Sequence, residues 1–166
     1  MLHADQFVDP AEDVPVGHAH LLRNLGYSIG DATRNHGNVR STRSVMPGMS
    51  TVELTAANFD QVVSENDFVI IDFWAGWCVP CRQFAPTYEK VSGNHDDIVF
   101  ASVDTEAEQQ LAAAFDVRSI PTLAVIRDKT VIYAQPGALP EKTLEDLIQQ
   151  ARDIDMDKLK EEAQEA

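Results

Sequence analysis

From Ser50 to Arg152 the chain alternates between short, unbroken apolar runs and longer stretches in which apolar residues return every three or four positions. The run "TVEL" after Ser50 reads as a short strand, and Thr55 is a capping residue for a helix reaching about Ser64. "DFVIIDFW" is apolar at almost every position, the pattern of a strand covered on both faces. A helix is expected from about Cys78 to Ser92, then a loop "GNHDD" and a strand from Ile98 to Val103. Thr105 and Glu108 match the T-x-x-E capping box and predict a helix to about Phe115. "TLAVIR" and "TVIYAQ" are separated only by Asp128 and Lys129, a spacing that suits a tight hairpin. Pro140 stands where a first helical position would be, and Leu144, Leu147 and Ile148 share one face of a helix to about Arg152. Strands that alternate with helices and end in a hairpin predict an α/β domain: a central mixed sheet flanked by helices, parallel where helical crossovers join its strands.

The two ends of the chain differ from this domain. Residues 1–48 hold four of the five histidines, no lysine and no sustained period of either kind. They are expected to be a disordered extension. The expectation is that Met49 is the real translation start or that residues 1–48 are a dispensable extension, which mass spectrometry of the natively expressed protein would decide. The domain is expected over residues 49–152, and residues 153–166, "DIDMDKLKEEAQEA", form an acidic tail that either adds a surface helix or frays.

Charge narrows the partners. The formal net charge is −14, and residues 51–166 carry 22 of the acids against nine basic side chains. Such a surface repels phosphate backbones and anionic headgroups, so nucleic acid and membranes are excluded as partners and other proteins are favoured. There is no run of the 18 or so apolar residues a spanning helix needs and no basic-then-apolar leader at Met1, which points to the cytoplasm. In a reducing compartment, two close cysteines are more often catalytic or metal-binding than structural.

Cys78 and Cys81 are the only cysteines, and they admit three readings. Zinc needs about four ligands. The domain offers one cysteine pair and one histidine, His95, with His18 and His20 far upstream, so no metal is expected. Two buried free thiols could serve as small hydrophobes. Exchange chemistry accounts for more: the pair opens a helix directly after a buried strand, where free N–H groups and the helix dipole favour a thiolate. Residues three apart share a helix face, so a disulfide could open and close with little movement. Cys78 would be the attacking thiol at an exposed tip, and Cys81, one turn in and more buried, would resolve the mixed disulfide. Pro80 is tolerated in a first turn because its missing N–H has no helical partner there.

The segment "DFWAGWCVPCRQFAP" resembles the active-site stretch of thioredoxins, and "RSIPT" and "GALP" resemble that family's second and third signatures. The resemblance covers roughly Ser50 to Arg152 and implies a thioredoxin fold and a protein-disulfide reductase that works by dithiol–disulfide exchange. It implies Cys78 as nucleophile, Cys81 as resolving thiol, and Trp77 and Pro80 as their flanks. Asp72 corresponds to the buried acid, and Pro121, after Ile120, to a cis-proline whose backbone edge can pair with an extended substrate segment. Gly137 corresponds to a glycine that lets a partner approach closely, and Trp74 is assigned to packing. The implied partners are oxidised substrate proteins and a thioredoxin reductase supplying electrons from NADPH, with no bound cofactor; the chain is expected to act as a monomer. Two positions depart from the pattern. Val79 replaces the usual glycine, which bears on the reduction potential and partner preference. Phe100 stands where many relatives have a lysine near the buried acid, which predicts a raised Asp72 pKa. An isomerase or oxidase of the same fold, and a non-enzymatic adaptor, are the alternatives.

Overall fold

The computed structural model describes residues 51–165, so expectations for residues 1–48, including the Met49 start, lie outside the described residues. Five strands form one mixed sheet in the order β1-β3-β2-β4-β5: β1 (Thr51–Glu53), β2 (Phe68–Trp74), β3 (Val99–Asp104), β4 (Thr122–Arg127) and β5 (Thr130–Pro136). β3 pairs in parallel with β1 and β2, while β4 runs antiparallel to β2 and to β5. The helices are α1 (Phe59–Glu65), α2 (Val79–Ser92), α3 (Gln109–Ala114), α4 (Glu141–Asp153) and α5 (Met156–Glu165).

β2 occupies the middle of the sheet, and the period of two along it divides the core. Phe68 and Ile70 face a cluster with Phe84 and Tyr88 of α2 and Leu144, Leu147 and Ile148 of α4. Val69, Ile71 and Phe73 face Phe59 and Val63 of α1 and Leu111 of α3. Both faces are therefore closed by helices, which is why this strand reads as a continuous apolar run. Asp72, on the Ile70 side, is the one acid in that run.

Three helix starts are later than expected. Asn58, not Thr55, precedes α1; its Oδ1 accepts the Thr55 N–H at 2.7 Å. The T-x-x-E pattern is not a capping box here. The Thr105 hydroxyl donates to Trp74 O at 3.1 Å, Glu108 Oε2 accepts the Ala56 N–H at 3.1 Å, and α3 begins only at Gln109. Pro140 precedes α4 by one residue, its carbonyl accepting the Leu144 N–H at 3.0 Å.

Residues beyond α4 turn back onto the domain. Asp155 Oδ1 accepts the N–H groups of Asp157 and Lys158 at 3.1 and 3.2 Å and so caps α5. Met156 is buried in the core on the α2/α4 side, Leu159 packs against it, and Lys160 reaches Asp128 at 3.2 Å. Asp128 belongs to the hairpin turn, where Asp128 and Lys129 both have positive φ, 47° and 65°. This is the two-residue turn that favours glycine at its second position. Lys129→Gly is therefore expected to stabilise the fold by about 0.5–1 kcal/mol in chemical denaturation, since a left-handed Lys costs about 1–2 kcal/mol and glycine gives about half of that back through its freer unfolded chain. A loss of stability would show the strain to be absent.

Candidate active site

β2 ends at Trp74, and four residues later Cys78 caps the N-terminus of α2. Its N–H donates to Ala75 O at 3.1 Å and its carbonyl accepts the Arg82 N–H at 3.2 Å, which locks the entry into the helix. Pro80 lies in the first turn, as expected. Cys78 and Cys81 are joined in a disulfide with Cα atoms 5.3 Å apart, and Cys78 Sγ accepts the Cys81 N–H at 3.2 Å. A sulfur at a helix N-terminus with an amide already aimed at it is placed to carry negative charge when the disulfide opens.

The exposed Cys78 tip expected from sequence is absent: both cysteines are 3% exposed. Ala75 packs with them, and Trp74 and Ile120 cover the pair. Trp74 thus borders the disulfide as well as packing. The groups that face solvent are Trp77, 67% exposed, and Val79, 51% exposed, on either side of Cys78.

The loop before β4 supplies the opposite wall. The Ile120–Pro121 peptide is cis, and Ile120 O lies 3.8 Å from Cys78 Sγ. Gly137 is tied to the same loop, its N–H donating to Pro121 O at 2.8 Å. Its φ of 128° is a conformation L side chains rarely adopt, and the direction a Cβ would take is open, with no atom within 4 Å. Cys78, Cys81, Ile120, Pro121 and Gly137, distant in sequence, are thus gathered at one end of the sheet, with Trp77, Val79 and Pro80 at the rim.

Asp72 lies on β2, two residues before that strand ends at Trp74, in register with Ser102 on β3 and Leu123 on β4. It is buried, and its Oδ1 has no protein hydrogen-bond partner. Burial pushes its carboxyl from 3.8 up to about 7. Phe100, on the same face, fills the core against the Tyr88 ring and adds no charge there. Tyr88 is a polar neighbour of Asp72 absent from the sequence-derived set. Its hydroxyl lies 2.9 Å from Ile70 O and 2.8 Å from Ala101 O, and burial, then the Asp72 charge, push its pKa well above the ordinary value. Glu106 is a second residue absent from the sequence-derived set: its Oε1 accepts the Trp77 indole N–H at 3.1 Å. No local signal marks that residue, because the contact spans 29 positions.

Among the described residues, no group of three or more His, Cys, Asp or Glu side chains is arranged to hold a metal. No helix among them is long and apolar enough to cross a membrane.

The Thioredoxin family model matches residues 50–150. The chain belongs to the thioredoxin family. It is 58% identical over 111 residues to "Putative thioredoxin 2" of Streptomyces coelicolor, an alignment covering 67% of this chain and 83% of that protein. It is 40% identical over 111 residues to thioredoxin C-3 of Corynebacterium nephridii, covering 66% and 75%. Among solved structures, a mutant thioredoxin from Halobacterium salinarum NRC-1 superposes with a TM-score of 0.58 at 32% identity, covering 63% of this chain and 92% of that one. Thioredoxins are thiol–disulfide oxidoreductases that need no bound cofactor, and the Cys78–Cys81 disulfide gives this thioredoxin domain the reacting group for that exchange.

Proposed function

We propose that this chain reduces disulfides in oxidised substrate proteins, with Cys78 as nucleophile and Cys81 as resolving thiol. The observation that carries the reading is the placement of Cys78 at the α2 N-cap, its sulfur accepting the Cys81 N–H and bordered by the Ile120 carbonyl. In the reduced protein, the Cys78 thiolate attacks a substrate sulfur, forming a mixed disulfide and expelling one substrate thiolate. Cys81 then gives up its proton and attacks Cys78 Sγ; the Cys78–Cys81 bond forms, the second substrate thiolate leaves, and two electrons have passed to the substrate. Asp72, with a carboxyl that titrates at about 7, suits the role of proton acceptor in that second step.

The rim suits an extended peptide. The backbone at Ile120 and Pro121 offers an edge for pairing, the open side of Gly137 permits close approach, and Trp77, Val79 and Pro80 flank the nucleophile. Reducing equivalents come from NADPH through a thioredoxin reductase, the reaction belongs to the cytoplasm, and the monomeric domain of residues 49–152 carries it. The acidic tail of residues 153–166 supports the domain on the α2/α4 side of its core, through Met156 and Leu159.

The test is NADPH-dependent reduction of a protein disulfide with a thioredoxin reductase, together with the equilibrium potential of the cysteine pair in dithiothreitol buffers. A potential near the thioredoxin value of about −270 mV supports the reductase; one near about −180 mV moves the chain to isomerase or oxidase work. Val79→Gly is expected to lower kcat/KM for a protein disulfide about threefold, through KM, because an exposed isopropyl group beside the nucleophile is lost as an apolar contact. Unchanged kcat/KM and unchanged potential would leave Val79 without a role.

A further inference from the structure

The loop between β3 and α3 is fastened from several directions and presents one acid to the disulfide face. Thr105 donates both its N–H and its hydroxyl to Trp74 O, at 2.9 and 3.1 Å. Asp104 Oδ1 accepts the Glu106 N–H at 2.9 Å, and Asp104 O accepts the Glu108 N–H at 2.8 Å. Glu108 is itself turned away, toward the Ala56 N–H. Asp104, the last residue of β3, and Glu108 therefore hold the fold together. Glu106, the remaining acid of this stretch, is exposed and accepts the indole N–H of Trp77.

An indole donor is neutral, so this hydrogen bond positions the ring without cancelling the carboxylate. Glu106 makes no ion pair among the described residues. Of the cations on nearby segments, Arg118, two residues before Ile120, is matched by Asp116 at 3.0 Å, and Arg82 is exposed on the first turn of α2. A carboxyl group with no ion-pair partner among the described residues thus stands beside the ring that flanks Cys78, on a loop held by hydrogen bonds to Trp74 and Asp104.

We infer that Glu106 is a specificity-determining residue of the exchange reaction: it holds Trp77 beside Cys78 and favours disulfides whose cysteine is flanked by Lys or Arg. The inference rests on the substrate-reducing role proposed above. An opposite charge at a solvent-exposed rim is worth little in absolute affinity, but it discriminates between otherwise identical partners, acts on encounter, and is screened by salt. A Lys-flanked substrate gains where a Glu-flanked one is repelled, so the two effects multiply in the ratio between them.

The test uses the full chain and three disulfide-linked peptides that differ only in the residue beside the cysteine, Lys, Gln or Glu. For the unaltered protein at low salt, kcat/KM is expected to fall in the order Lys, Gln, Glu, with a Lys-to-Glu ratio of about three- to tenfold that shrinks at about 0.5 M salt. Glu106→Gln keeps an oxygen to accept the indole N–H and removes the charge, so the ratio should approach one. Glu106→Ala should collapse the ratio as well and, by releasing Trp77, raise KM for the neutral peptide, which Glu106→Gln does less. Equal rates for the Lys and Glu peptides, or a ratio that survives Glu106→Gln, would overturn the inference while leaving disulfide reduction intact. Failure to reduce even the Gln peptide would remove the exchange reading itself and this inference with it.

Discussion

Cys81→Ser is expected to stop the reaction half-way, with the substrate bound covalently to Cys78. Turnover of a protein disulfide should drop by at least about a thousandfold, and a mixed disulfide should accumulate to about one per chain. Non-reducing electrophoresis and intact-mass measurement read both. Cys78→Ser should lose turnover equally and trap nothing. The opposite pattern, with adducts on Cys81 alone, would reverse the assignment of nucleophile and resolving thiol.

Burial does not decide between the two thiols, since both are 3% exposed. Three other features do. Cys78 is the N-cap and Cys81 lies within the helix, so the free amides at the start of α2 converge on Cys78, one of them already bonded to its sulfur. Ile120 O borders Cys78 Sγ, which puts the docking edge beside that sulfur. Exposed Trp77 and Val79 flank Cys78 in the chain, so a partner that covers them meets Cys78 first. The disulfide spans a sequence separation of only 3, so its loss should cost about 2 kcal/mol, less than for a long loop, and a folded but arrested protein is the expected product.

The parts of this fold that were legible in the sequence are those where burial imposes a period. β2 has a helix layer on each face, hence its unbroken apolar run; α4 packs on one side only, hence the stripe of Leu144, Leu147 and Ile148. The hairpin turn was legible because only Asp128 and Lys129 separate its strands. Local polar chemistry was a poorer guide. Thr105 and Glu108 satisfy a capping pattern, but Trp74 O and the Ala56 N–H, both from elsewhere in the chain, take their side chains instead. The same blindness hid Glu106 and the covering of Cys78 by Trp74 and Ile120, which depend on how segments distant in sequence meet. For the tail, the few apolar residues after Asp153 could not show that Met156 and Leu159 have a core to join. The cis bond before Pro121 came from the family resemblance and not from any local pattern.

Asp72 is expected to make the fold less stable as pH rises through neutrality, the reverse of an ordinary paired aspartate. Its carboxyl moves from 3.8 to about 7 because burial disfavours the charged form. Between these values the folded chain holds a proton that the unfolded chain has released, so unfolding stability falls with pH from about 4 to about 7 and levels off above. The shift corresponds to as much as about 4 kcal/mol at pH 8. Asp97, held low by hydrogen bonds from the Arg152 guanidinium, acts in the opposite sense, its contribution being lost only as pH falls below the ordinary carboxylate range. Of these two carboxyls, only Asp72 changes its contribution in the window from about 5 to 8. Denaturant unfolding of the oxidised protein should show the decline, and Asp72→Asn should flatten it, so that the variant gains on the parent with rising pH. It will not gain the whole amount, because a buried amide with no partner costs about 1–3 kcal/mol at every pH. A parent curve that is flat from about pH 5 to 8 would mean that the carboxyl ionises without cost and that water or a relaxed side chain serves it. The instability and the proposed chemistry have one origin: a carboxylate that is costly to ionise accepts a proton readily near neutral pH. Asp72→Asn should therefore also slow the resolving step roughly tenfold or more and remove the inflection near about pH 7 from its rate profile. A stability change without that kinetic change would confine Asp72 to the fold's electrostatics.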